Sequence, residues 1–401
     1  MAAISAEVVV VGAGPAGLTL ANRLRQEGID CLVLEQASRE AVVSTPRAGF
    51  LEEWAVRALE ACGLASKALS AEAPRHGSVE FRFEGERRVL DYARLTGHHH
   101  VVYPQQSLVR DLLERFESDG GEVRFGVRGL RLHGATEGPR PTVAWTEPES
   151  GHPEAAHTAE CAFVAGCDGA RGVSRDALVA AGASLVRHQY GVDWLAMLAR
   201  TPPTADTVIM GIHPRGFAAH MPRGPEVTRF YLQVPRGTSA EEWTDEHAWI
   251  ELQARLAVPE PGHRLASGPL LEKRVLELHD YLVRPMSVGR LQLAGDSAHL
   301  VAPIGAKGMN LAILDALRLA RGYAAVLRGG DEAPLAGYSD RSLQQAWDYL
   351  EFSEWLAEVY HGSAAGGFRA GAATARLRRI FASDTAARAF AEMYLGVRTT
   401  V

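Results

Sequence analysis

The sequence predicts an α/β fold: an opening strand–turn–helix–strand unit, a β-rich insertion, and helices that close the C-terminus. Three observations predict it. Val8-Val9-Val10-Val11 runs directly into Gly12-Ala13-Gly14-Pro15-Ala16-Gly17, and Leu18-Thr19-Leu20-Ala21-Asn22 continues as a helix. Phe230, Leu232 and Val234 alternate with Tyr231 and Gln233 inside a strand-rich stretch from about 187 to 280. After the strand Leu291-Gln292-Leu293-Ala294, a long helix runs to Arg328, with further helices over 340–361 and 382–395.

The opening unit is a dinucleotide-binding fingerprint. Four consecutive valines read as a strand buried on both faces. Gly12 permits the tight turn, Gly14 lets the backbone approach a pyrophosphate, and Gly17 lets the helix pack close to the strand. Ala16 lies in the same turn. The helix N-terminus offers free N–H groups and a positive dipole end to phosphates. Glu35 ends the next apolar run, Cys31-Leu32-Val33-Leu34, where it can accept hydrogen bonds from a ribose diol. The turn leaves open whether FAD or NAD(P) is bound.

The chain has 401 residues, enough for two domains with sizeable cores. Hydrophobic content of 47% and charged content of 22% are ordinary for a soluble protein. A net charge of −6 gives a nucleic-acid partner no electrostatic support. No apolar run approaches the ~20 residues that span a membrane. The N-terminus lacks a basic n-region, so a cytoplasmic location without a signal peptide is expected. Cys31, Cys62, Cys161 and Cys167 form no C-x-x-C pair and read as free thiols. His98-His99-His100 follows Gly97 in an expected loop without ligand spacing, so no metal site is expected. Trp347, Leu350 and Trp355 read as helix packing.

Between these landmarks, residues 50–72 read as helical, with Leu51, Trp54, Ala55, Leu59 and Leu64 on one face. Val79 to Phe83, the turn Glu84-Gly85 and Arg88-Val89-Leu90 form a hairpin signal. Residues 104–118 read as helix, 134–153 as an exposed hairpin connection, 162–164 as a buried strand and 240–256 as helix. The expected dinucleotide domain is discontinuous, over 1–76, 100–186 and 281–330. Residues 77–99 and 187–280 form the inserted domain, and 331–401 the C-terminal helical region.

Two later motifs choose the cofactor. Cys167-Asp168-Gly169 leads to Ser174-Arg175 after a buried strand. Gly295-Asp296-Ser297-Ala298-His299 is followed by Pro303 and by Gly305-Ala306-Lys307-Gly308-Met309-Asn310-Leu311. Asp296 at a strand end suits the ribityl hydroxyls of a flavin. Gly305 and Gly308 let the backbone pass close to a flat ring, and the helix starting near Met309 aims its positive end at it. Together with Arg47-Ala48-Gly49, Tyr103-Pro104-Gln105, His213-Pro214-Arg215-Gly216-Phe217, Gln233-Val234-Pro235 and Tyr394-Leu395-Gly396, these motifs resemble the FAD-dependent aromatic hydroxylases, group A flavoprotein monooxygenases. Within them, the resemblance is to the 4-hydroxybenzoate hydroxylase subgroup, over nearly the whole chain.

The resemblance implies a Rossmann-like FAD-binding domain, an inserted β-sheet-rich substrate domain and C-terminal helices. It implies that Glu35 binds the FAD ribose, that Arg47 and Gln105 contact FAD, and that Asp168 lies near the pyrophosphate. Asp296 would hold the ribityl chain, and Gly308, Met309 and Asn310 would meet the isoalloxazine. Arg223 matches the arginine that pairs with a substrate carboxylate, Tyr231 a tyrosine on the same group, Tyr394 a pocket tyrosine, and Pro303 a proline beside the substrate ring. His76 matches the outer histidine of a proton relay.

Two departures bear on the substrate. Met210 replaces a tyrosine that bonds a 4-hydroxyl, and Met221 replaces a serine beside the carboxylate; thioethers are poor hydrogen-bond partners. His220, next to Met221, is expected either in the pocket as a polar contact or base, or facing solvent. The family oxidises electron-rich rings with a flavin hydroperoxide, so a hydroxy- or aminobenzoate other than plain 4-hydroxybenzoate is expected. The partners implied are a small aromatic carboxylate, O₂ and either NADPH or NADH, in a possible homodimer. Gln36-Ala37-Ser38-Arg39 carries one arginine where the family selects a 2′-phosphate, and His279 replaces another, which makes NADH plausible. The alternatives are another flavin oxidase or a non-catalytic FAD-binding redox module. The seven tryptophans form no halogenase W-x-W, and a redox module has no need of a carboxylate clamp.

Overall fold

In the computed structural model the described residues are 4–45, 49–64, 73–147, 155–260 and 262–400. Arg47 lies outside them, as do the ends of two expected elements, 65–72 and 148–153.

Val8–Val11 is wholly buried at the centre of a six-stranded sheet. The order is Ser287–Val288, Leu291–Leu293, Phe163–Gly166, Val8–Val11, Cys31–Glu35 and Glu122–Phe125. Every pairing is parallel except that of the edge strand Ser287–Val288. Both faces of such a sheet must be covered. Helix Pro15–Gln26 packs between helices Gln105–Ser118 and Gly308–Ala324. Its buried Asn22 donates to the carbonyl of Leu112 at 2.9 Å, tying two of them together.

The second large sheet has seven strands, in the order Leu270–Leu276, Val192–Arg200, Val227–Pro235, Gly216–Gly224, Val208–His213, Ser78–Phe83 and Glu86–Asp91. It separates two apolar layers. Phe230, Leu232 and Val234 point to one, where Ala248 and Leu252 of helix Asp245–Arg255 close it. Tyr231, Ala219, Phe217 and Met210 point to the other, which the C-terminal helices Tyr338–Gly362, Gly367–Ala382 and Asp384–Tyr394 cover with Phe352, Leu356, Leu377 and Phe390.

Local expectations need five corrections. Residues 50–72 do not start as a helix: Phe50–Glu52 is a strand, and the helix is Glu53–Ala61. Tertiary pairing with His100–Val102 overrides the local propensity, and it also puts His100 in a strand rather than a loop. Within 134–153, Thr142–Glu147 is a strand that buries Val143 and Trp145. The helix expected over 240–256 begins at Asp245, where the Thr244 hydroxyl caps the His247 N–H. Trp347 is 45% exposed, so packing falls to Leu350 and Trp355. Among the described residues, no helix is long and apolar enough to cross a membrane.

Candidate active site

A groove of about 680 Å³ opens at the C-terminal ends of the parallel strands, where ligands of such sheets bind. Gly12, Gly14 and Ala16 form one wall, with Glu35, Gln105, Asp168, Asp296, Pro303, Gly308 and Met309 around the rest. Gly12 has φ +106°, and a side chain there would strike the Cys167 carbonyl. A Cβ on Gly17 would strike the Gly12 carbonyl, so the helix can approach the turn only with glycine. Gly14 differs: a Cβ there meets no protein atom within 4 Å, because its hydrogens face the groove. Gly14 precedes the first turn of Pro15–Gln26 and no side chain caps it, leaving the helical N–H groups open to an anion.

Two carboxylates frame this turn. Glu35 accepts from the backbone N–H groups of Ala13 at 2.6 Å and Ala37 at 2.7 Å, which pins it at the rim. A carboxylate has about four lone-pair sites, so two remain for a diol. Asp168 accepts from the Ser174 N–H at 2.9 Å through Oδ2, while its buried Oδ1 has no partner in the protein. Burial pushes the Asp168 carboxyl up from its ordinary value.

Asp296 lies in the turn Gly295–Ser297, and a residue outside the groove holds that turn. Asp315, on helix Gly308–Ala324, accepts from the Gly295 N–H at 2.9 Å and meets His299 Nε2 at 2.6 Å. Burial works against a charged His299, but the Asp315 carboxylate wins and holds it above its ordinary value. Nearby, Ala306 takes φ 57°, a left-handed conformation in a non-glycine residue, in the loop leading to Gly308 and Met309.

Asn310 does not line the groove. Its Oδ1 accepts from the Glu52 N–H at 2.9 Å, and its Nδ2 donates to the carbonyls of Ala306 (3.1 Å) and Phe50 (3.3 Å). Its side-chain amide thus braces the loop against the strand. Beside it stands a pair the sequence reading left without a role. Lys307 is fully buried and donates to Glu52 and to the carbonyls of Met393 (3.0 Å) and Tyr394 (2.9 Å). Glu52 also accepts from Trp54 and Tyr349. Burial lowers the Lys307 pKa, and Glu52 opposes the shift. A lone lysine in a small-residue loop, with a glutamate in an apolar segment, was the available signal.

Pro303 lines the groove. Its neighbours Ala302 and Ile304 pack in the same apolar layer as Tyr231, Met210 and Tyr394. Ala219 is paired in register with Tyr231 on one side and Met210 on the other, so the three share a face. Arg223 lies in the strand Gly216–Gly224, at an irregularity between Pro222 and Gly224. Such a bulge re-aims a side chain, and the guanidinium stands close enough to Tyr231 for the two to interact electrostatically. Burial lowers the Arg223 pKa, and Tyr231 offsets part of that. Met221 packs partly buried on this face. His76 lies at the edge, its ring 5.6 Å from that of Phe50; burial lowers its pKa, Asp206 raises it and Arg223 lowers it further. Tyr394 is buried with its ring 4.9 Å from His100.

His220 belongs neither in the pocket nor in solvent. It is paired with Phe230, faces the opposite layer and is fully buried. Side chains alternate along a strand, so a neighbour of Met221 must point the other way. Its Nε2 accepts from the Thr204 N–H at 3.0 Å, and burial pushes it down to about 4.

A family model described as FAD binding domain matches residues 5–353. Over 399 residues the sequence is 34% identical to p-hydroxybenzoate hydroxylase of Acinetobacter baylyi, covering 99% of this chain and 96% of that one. The chain belongs to the FAD-dependent aromatic hydroxylases. The hydroxylase is also 31% identical over 363 residues to a 3-(3-hydroxy-phenyl)propionate/3-hydroxycinnamic acid hydroxylase of Mycolicibacterium gilvum, of which it spans 60%. Among solved structures, p-nitrophenol 4-monooxygenase PnpA from Pseudomonas putida matches with TM-score 0.79 at 22% identity, over 98% of this chain and 97% of that one. OxyS anhydrotetracycline hydroxylase from Streptomyces rimosus matches with TM-score 0.78 at 24% identity, over 99% and 77%. These two share the fold.

FAD is therefore the cofactor of this hydroxylase, and the groove suits it. The open hydrogens of Gly14 and Gly308, the uncapped helix start and the unpartnered Asp168 oxygen all face or border that space.

Proposed function

We propose that the hydroxylase inserts one atom of O₂ into the ring of a hydroxy- or aminobenzoate, reducing the other to water with electrons from NADPH or NADH. The carrying observation is Arg223 beside Tyr231, whose apolar layer also holds Ala302 and Ile304, the neighbours of Pro303 in the wall of the FAD groove. A guanidinium fork suits a carboxylate, and Tyr231 adds a second donor. FAD, reduced by the nicotinamide, supplies the oxygen-activating chemistry. The protein residues bind and orient: Arg223 and Tyr231 take the acid, and the apolar layer excludes water. Met210 and Ala219 offer the ring no hydrogen bond. That favours an amino substituent, which enriches the ring without losing a proton. Arg39 is engaged with Glu117 at 2.6 Å, which weakens the case for a 2′-phosphate contact and favours NADH.

The test is oxidation of NADH and NADPH by the FAD-loaded protein against a panel of hydroxy- and aminobenzoates, with products identified by mass. A substituted benzoate should accelerate oxidation and gain one oxygen. No stimulation by any aromatic acid overturns the proposal, and tightly coupled turnover of 4-hydroxybenzoate overturns its substrate preference.

A further inference from the structure

Tyr360 has no part in the function described so far. It stands near the end of helix Tyr338–Gly362 and is 1% exposed. Its ring lies flat on Phe217, with centres 4.6 Å apart and planes at 10°. Phe217 stacks on Trp194 at 5.0 Å, and Trp194 lies 5.2 Å from Tyr231. Tyr360 thus sits in the apolar layer that holds Tyr231, Met210 and Ala219, near enough to Tyr394 for the two phenols to interact electrostatically. Its hydroxyl is buried and has no hydrogen-bond partner in the protein. A buried hydroxyl without a partner costs stability, and phenylalanine would stack on Phe217 equally well. An unpaired buried polar group calls for an explanation, and a ligand group is one.

We propose that the Tyr360 hydroxyl is a specificity-determining contact, hydrogen-bonding the polar ring substituent of the aromatic acid held by Arg223. The inference rests on the function proposed above. A phenol both donates and accepts, so it serves a hydroxyl or an amino group. On this face the thioethers of Met210 and Met221 do neither well.

The experiment compares wild type with Tyr360→Phe as FAD-loaded proteins. Binding of benzoate, 3- and 4-hydroxybenzoate, and 3- and 4-aminobenzoate is read from the perturbed flavin absorption. Flavin content and Tm establish that the variant folds. The expected result is that Kd rises about tenfold or more for at least one substituted benzoate, while that for benzoate changes less than about twofold. Kd values that shift together or not at all, with a raised Tm, overturn the inference and leave the hydroxyl as a core group. A wild-type protein whose flavin responds to no acid in the panel overturns the proposed function, and this inference with it. A responsive wild type with an indifferent variant overturns the inference alone.

Discussion

The His220 imidazole lies against Phe230, ring centres 5.6 Å apart, on the opposite side of the sheet from Tyr231. Residue 221 faces the layer of Tyr231 and residue 220 does not, by the alternation of a strand. His220→Gln is therefore expected to leave the affinity for aromatic acids within about twofold while lowering Tm, by about 1–3 kcal/mol of stability for a disturbed buried hydrogen bond. Equilibrium titration and thermal melts of the FAD-loaded protein check both.

The same histidine makes stability depend on pH. Burial holds His220 down to about 4, and His361, which accepts from the Trp194 indole at 2.9 Å, down to about 3. Both fall below the ordinary 6.5. The unfolded chain takes up these protons as pH falls through 6.5, and the folded chain does not until much lower. The stabilisation is thus complete above about 6.5 and is lost progressively toward pH 4 and below. Melts from pH 7.5 to 4.5 should show Tm falling with acid, with a shallower fall in His220→Gln.

Arg223→Met removes the charged fork but keeps a chain of similar length. Loss of a charge-assisted pair should raise Kd for the aromatic acid about 100-fold, or ~2.7 kcal/mol. The flavin spectrum without the acid should be unchanged, because Arg223 does not line the FAD groove.

Glu52 and Lys307 should show strong coupling. Removing one member of a buried pair typically costs about 3–5 kcal/mol, whereas removing both costs far less. Glu52→Gln and Lys307→Met should each lower Tm sharply. The double variant should recover part of the loss in a double-mutant cycle read by urea unfolding.

The glycine turn separates folding from cofactor binding. Gly12→Ala meets the Cys167 carbonyl and a left-handed φ, so it should impair folding itself. Gly14→Ala meets no protein atom and has φ −81°, so the apoprotein should fold with nearly unchanged stability. Its methyl enters the groove, and FAD affinity should fall at least about tenfold. Apoprotein melts and flavin titration separate the two.

The fold was largely legible because its signals are local. Four valines, a glycine turn and an acid at the next strand end act through the backbone they belong to. The period of two around Tyr231 likewise sorted Phe230 from Tyr231 before any partner was known. Phe50–Glu52 was not legible, because its strand character comes from His100–Val102 and from Asn310, which lies 258 residues from Glu52. The family resemblance implies a flavin contact for Asn310; only its tertiary partners show that its side-chain amide is bonded to Glu52, Ala306 and Phe50.

By itself, the sequence determined the Rossmann-like turn, the flavin motifs and the family, since these are contiguous patterns tied to backbone geometry. The tertiary structure decided which side chains share a space. It took His220 out of the pocket, buried Lys307 against Glu52, and set the Tyr360 hydroxyl unpaired in the layer of Tyr231 and Met210. Those outcomes depend on the register of strands and the docking of helices from distant parts of the chain. No local spacing encodes them.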